Sequence, residues 1–176
     1  MIELPKYSNQ ELLESLQEYQ KEIIQELLVN NNEDEAIELW INANGPINNV
    51  NFGGTQEKNQ LLKNFKIELC KLLSESPEYE EQVKEIKVYI NLGKDAIISG
   101  LTLALAPKLG ATAIIVVPLV VLAMMSISKV GVKAYCNTIL NREENKWKME
   151  ELMKKIKQFN EERDWDKFHS PENLAK

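Results

Sequence analysis

The sequence predicts an all-α protein, and three observations predict it. Apolar residues recur at spacings of three and four through most of the chain. The segments so formed are bounded by asparagine, glycine and proline. No run alternates polar with apolar for long enough to make a strand. The expected arrangement is an acidic helical bundle over residues 1–95, an apolar two-helix hairpin over 96–128, and a long amphipathic C-terminal helix with a tail over 129–176.

Ser8 and Glu11 stand at capping-box spacing, and Leu12, Leu16, Tyr19, Ile23, Ile24, Leu27 and Leu28 behind them predict one helix to about Val29. Asn30, Asn31 and Asn32 break it. A shorter helix carries Ala36, Ile37, Trp40 and Ile41, and Asn44-Gly45-Pro46 stops it. After a loop over 47–54, Thr55 caps a third helix with Leu61, Leu62, Phe65, Leu69, Leu72 and Leu73 on its apolar face. Ser76-Pro77-Glu78 opens a fourth, because proline suits a first helical position, and Val83, Ile86 and Ile90 carry it toward Gly93. Beyond residue 128 the spacing of Tyr135, Ile139, Leu152, Ile156 and Phe159 continues helical to about Glu161.

Charge is distributed unevenly. Residues 1–95 carry 18 acidic and 9 basic side chains, residues 96–128 only Lys108, and residues 129–176 carry 11 basic and 9 acidic, within a total of −6. The acidic half argues against a nucleic-acid partner, since phosphate binding needs a clustered positive field, and suits a protein partner instead. Cys70 and Cys136 have no metal-ligand spacing, and a single histidine leaves no His-based site, so neither metal nor cofactor is expected. Residues 1–6 lack the basic and apolar stretches of a signal peptide, so the expected start is cytosolic.

The central block has two halves. Residues 96–106 read AIISGLTLALA, then come Pro107, Lys108, Leu109 and Gly110, and residues 111–128 read ATAIIVVPLVVLAMMSIS. Residues 109–128 are uncharged and, as a helix, reach about 30 Å, the thickness of a bilayer core. Pro118 is better tolerated in membrane helices than in soluble ones. Gly100 and Ala104 offer a small-residue face for close helix contact. Lys129, Lys133 and Arg142 place the following segment in the cytosol by the positive-inside rule, so two spans turning at Pro107–Gly110 satisfy both ends. Trp147, between Lys146 and Lys148, is a candidate interface anchor. The alternative is a buried hairpin wrapped by amphipathic helices, because a helix apolar all round also suits a core. Asp in place of Val117 separates the two: it disables a membrane helix or unfolds a core.

The enzymatic candidate is Arg163 with His169, an arginine and a histidine with five residues between them in RDWDKFH. This pattern resembles that of HEPN ribonucleases, and the resemblance implies attack on an RNA phosphodiester by the pair. Glu80-Glu81 and Glu143-Glu144 point about 100° apart on a helix and form no dyad. Gly53-Gly54-Thr55 lacks the spacing and lysine of a phosphate loop. The expectation is a protein that is not an enzyme.

The segment Gly45-Pro46-Ile47-Asn48-Asn49-Val50-Asn51-Phe52-Gly53-Gly54-Thr55, after an acidic helix, resembles the bacterial effector-associated domains, small death-domain-like adaptors. A helical region joined to an apolar hairpin is similar to the small membrane effectors of anti-phage abortive infection, including the HEPN-like pore protein of type VI CRISPR systems. That resemblance implies a homo-oligomer acting on lipid at the bacterial inner membrane, facing the cytoplasm, or cytoplasmic before insertion. In that picture residues 109–128 wall a pore and Lys129 and Lys133 set its inner rim. A soluble adaptor is the alternative, and a HEPN-like ribonuclease the third.

Overall fold

The computed structural model describes residues 1–44 and 54–162, and among these it holds helices and no strand. The Gly45–Thr55 stretch, apart from its last two residues, and the pair Arg163 and His169 lie outside the described residues. Two compact units result, Met1–Ile139 and Leu140–Lys176.

Within the first unit the expected first helix is two: α1 (Asn9–Leu13) and α2 (Glu18–Asn30). Ser8 caps α1 as predicted, its backbone amide donating to Glu11 Oε2 at 2.8 Å while its own Oγ accepts from the Glu11 amide. The break has a tertiary cause. Ser15 bonds Asp95 and Lys94 at the start of a later helix, and Leu16 turns into the core. A second capping box at Gln17 and Gln20 then starts α2. Asn32 and Glu35 cap α3 (Glu33–Asn44) reciprocally, each bond 3.0 Å long.

Helix α4 (Gly54–Leu73) ends in a reversal at Glu75, whose φ is 61°, with the Ser76 amide donating back to Lys71 O at 3.0 Å. Pro77–Tyr79 forms a single 3-10 turn leading into α5 (Glu80–Tyr89). The hairpin follows as α6 (Lys94–Leu109) and α7 (Ala113–Val130). Its first helix starts at Lys94 and includes Pro107, so the turn falls at Gly110 to Thr112 rather than at Pro107. Gly110 takes the left-handed φ of 60° that closes the turn. Gly131, at φ 84°, separates α7 from α8 (Val132–Glu162), where the sequence predicted continuous helix.

Helix α7 is the axis of the first unit. It packs chiefly on α3 and α6, with α1 against another flank. Val116, Leu119, Val120, Val121, Leu122, Ala123 and Met125 have no exposed surface. Each large one contributes about 1.5–3 kcal/mol of apolar burial, so α7 is the most completely buried helix of the core. The amphipathic faces of α1 to α5 and the first turns of α8 close around it, burying Trp40, Phe65, Leu69 and Tyr79.

In the second unit α8 runs on as a helix laced by ion pairs such as Lys155 with Glu151, 2.8 Å apart. Met149, Leu152, Met153 and Ile156 are exposed on it. Trp147 lies in this helix.

Candidate functional site

Pro118 determines the chemistry of the apolar helix. Proline has no amide hydrogen, so the carbonyl four residues earlier, that of Ile114, loses its helical donor. A buried carbonyl left bare costs about 1–3 kcal/mol. Gln20, on α2 and 2% exposed, donates from Nε2 to that same oxygen at 3.0 Å. Trp40, on α3, donates from Nε1 to the next carbonyl, Ile115 O, at 3.1 Å. Two side chains remote in sequence thus bond adjacent carbonyls of α7, and Gln20 satisfies the one that the proline opens.

The far end of α7 is latched as well. Lys129 pairs with Glu33, a buried carboxylate at the start of α3. The Tyr7 amide donates to Ser128 Oγ at 3.4 Å. At the start of α6, Lys94 Nζ reaches Ser15 Oγ at 3.0 Å.

The tip of the hairpin differs from its base. Leu103 is 69% exposed and Ile114 60%, Ala104, Ala106, Leu109, Ala111, Ile115 and Val117 are half-buried, and Pro107, Lys108, Gly110, Thr112 and Ala113 face solvent. Lys108 is the single charge in this surface, its Nζ 5.4 Å from the ring centre of Tyr79. The Tyr79 hydroxyl donates to Glu68, and burial followed by that bond pushes the phenol well above its usual range. Burial tends to raise the Glu68 carboxyl, but the bonds from Lys71 and Tyr79 outweigh it and hold it below the ordinary value.

The expected hairpin residues therefore divide. Pro118 is buried in the core, and Val117 half-buried beside it. Gly100 is buried against α5, where an added Cβ meets Tyr89 Cδ2 at 2.4 Å, so the close contact expected of Gly100 is made within the chain. Lys133 is exposed on α8. Thr102 presents a buried hydroxyl with no hydrogen-bond partner among the described residues. Sequence reasoning missed Gln20, Trp40 and Glu33 as partners of the hairpin. The one signal available was Pro118 itself, which in an apolar helix demands a donor from elsewhere.

No group of His, Cys, Asp and Glu among the described residues is placed to hold a metal ion. No protein-family model, curated protein or solved structure matches the chain.

Proposed function

We propose that this fold is the closed form of a membrane-acting helical protein, which stores an apolar hairpin in its core and delivers it to a bilayer as a homo-oligomer. The observation that carries the reading is the hairpin's tip. An ordinary core helix is polar where it meets water, whereas here the solvent-facing positions include Leu103 and Ile114, with Lys108 the only charge. Helix α7 is also the one described helix long and apolar enough to cross a membrane. Residues 109–128 would wall the inserted structure, with Lys129 and Lys133 at its cytoplasmic rim. The similarity of this layout to anti-phage membrane effectors supports the oligomeric pore.

Dye release from vesicles containing anionic lipid tests it, at neutral and at mildly acidic pH. The chain should pellet with the vesicles, resist a carbonate wash and release dye. Leu103→Asp and Ile114→Asp should keep the circular dichroism of the parent and lose release, because an aspartate deep in a bilayer costs about 2.5–3.5 kcal/mol. A chain that stays in the supernatant and releases nothing under either condition rejects the proposal.

A second reading, a soluble helical adaptor, is favoured by a different observation. Gln20 satisfies the carbonyl that Pro118 frees and Trp40 bonds the next one, so the closed form is specified in detail rather than merely collapsed. On this reading the exposed tip is a protein-binding surface, and Leu103→Asp abolishes partner capture without any membrane phenotype.

A further inference from the structure

Two helix faces in this chain present apolar side chains to water, and the charges beside them are opposite in sign. The first lies on the outer half of α8. Met149, Leu152, Met153 and Ile156 recur at spacings of three and four, so they form one stripe, and all four are exposed. Lys155 follows Leu152 by three residues and Lys157 follows Met153 by four, which sets an exposed lysine beside each edge of the stripe.

The second face lies on α2. Tyr19, Ile23 and Val29 are exposed there, Val29 by 75%, with exposed Glu18, Glu22 and Glu26 among them. The helix packs on α3 and buries Gln20 and Ile24 on its other side. The three glutamates follow one another at four-residue intervals, a spacing at which like charges repel on a helix. No lysine or arginine among the described residues pairs with any of them.

Neither face suits a copy of itself, because pairing α2 with α2 sets glutamate against glutamate and pairing α8 with α8 sets lysine against lysine. Laid on each other, the two faces join their apolar side chains and bring Lys155 and Lys157 to the glutamate row. We propose that the α8 stripe of one copy docks on the α2 face of a second copy. The contact joins unlike surfaces, so it repeats from copy to copy and closes a ring or extends a chain. It names the interface of the homo-oligomer proposed above and rests on that reading, but it uses no residue of the hairpin and is measured without lipid.

Sedimentation of the full chain at rising protein concentration tests it. The mean mass should grow with concentration at about 0.1 M salt and grow less at about 1 M, where charges are screened beyond about 3 Å. Glu22→Lys with Glu26→Lys should keep the circular dichroism of the parent and lose self-association, and so should Met153→Ser with Ile156→Ser. Mixed together, these two variants should form one-to-one pairs that grow no further, since one intact face of each kind remains. Adding Lys155→Glu and Lys157→Glu to the first variant should restore growth by reversing both charges. A parent that stays monomeric at every concentration, growth that survives Glu22→Lys with Glu26→Lys, or variants that fail to pair when mixed each overturn the proposal. Dye release by a chain that is monomeric in solution rejects this contact and keeps the membrane reading, whereas association without dye release does the reverse.

Discussion

Replacing Gln20 with leucine, in a site that is 2% exposed, removes the Nε2 donor to Ile114 O and the Oε1 acceptor of the Gln17 amide, the second a loss common to the parent and Pro118→Ala backgrounds. The structure assigns that donor a single acceptor, the Ile114 carbonyl 3.0 Å away. With Pro118 in place no backbone amide replaces it, and a buried carbonyl without a partner costs about 1–3 kcal/mol. Pro118→Ala changes the premise, because alanine restores the amide that normally bonds Ile114 O. In the Pro118→Ala background, Gln20→Leu should therefore cost about 1 kcal/mol less than in the parent, about a fivefold difference in the unfolding constant. The assay is urea unfolding of the four proteins followed by far-ultraviolet circular dichroism, compared at equal m-values. Any change in helix geometry caused by Pro118→Ala alone cancels in the cycle. If the two effects add to within about 0.3–0.5 kcal/mol, the spatial match between Gln20 and the proline has no energetic content and the reasoning fails.

Aspartate substitutions along α7 should separate by position: Leu122→Asp, in a site with no exposed surface, should abolish cooperative unfolding, whereas Ile114→Asp should leave the melt within about 0.5 kcal/mol of the parent. Equal damage from both would show that the tip is buried in solution. Gly100→Ala should destabilise by about 1–3 kcal/mol through its clash with the Tyr89 ring, and Tyr89→Leu should restore part of the loss; a neutral Gly100→Ala would refute the contact. Stability should also fall on acidification. Glu75 is held below the ordinary carboxylate value by Lys87 and the N-terminal amine, and Glu68 by the bonds of Lys71 and Tyr79 once these outweigh burial. Groups depressed in the folded state stabilise it above their unfolded pKa, about 4.3, and lose that contribution as pH falls through the folded value. Tm should thus decline below about pH 4.5, less steeply in Glu68→Gln, and a Tm that rises there would contradict the assigned pairs.

Local chemistry made much of this fold legible. Ser8 with Glu11 and Ser76 with Pro77 mark starts that the backbone adopts, and Gly110 closes the hairpin near where the apolar run pauses. What was hidden depends on contacts distant in sequence. The break between α1 and α2 falls in a stretch of good helix formers, and it exists because Ser15 meets Asp95, 80 residues away. The step in charge at residue 95 suggested a boundary, yet Lys94 and Asp95 open α6 and bind Ser15, so acidic and apolar segments share one core. Periodicity cannot separate a core helix from a membrane helix, because both are apolar around their circumference. Gln20 and Trp40, which bond the carbonyls of α7, read in sequence only as ordinary members of amphipathic helices.

The bond from Gln20 constrains how the hairpin could act in a bilayer. Hydrocarbon supplies no donor, so a helix leaving the core with Pro118 must re-satisfy the Ile114 carbonyl or bear the cost of a bare polar group. Within one chain that carbonyl's donor sits on α2, a helix whose polar face holds Glu22 and Glu26 and cannot follow into lipid. A neighbouring inserted copy can supply donors, for instance the Thr102 hydroxyl, which has no partner among the described residues of the closed form. Insertion and association are then one event, and dye release should rise with a power of protein concentration well above one. Pro118→Ala, by restoring the amide, removes the need for a partner at that carbonyl. Its release curve should become shallower in concentration even if its amplitude is kept. A curve as steep as the parent's would mean that the proline plays no part in assembly.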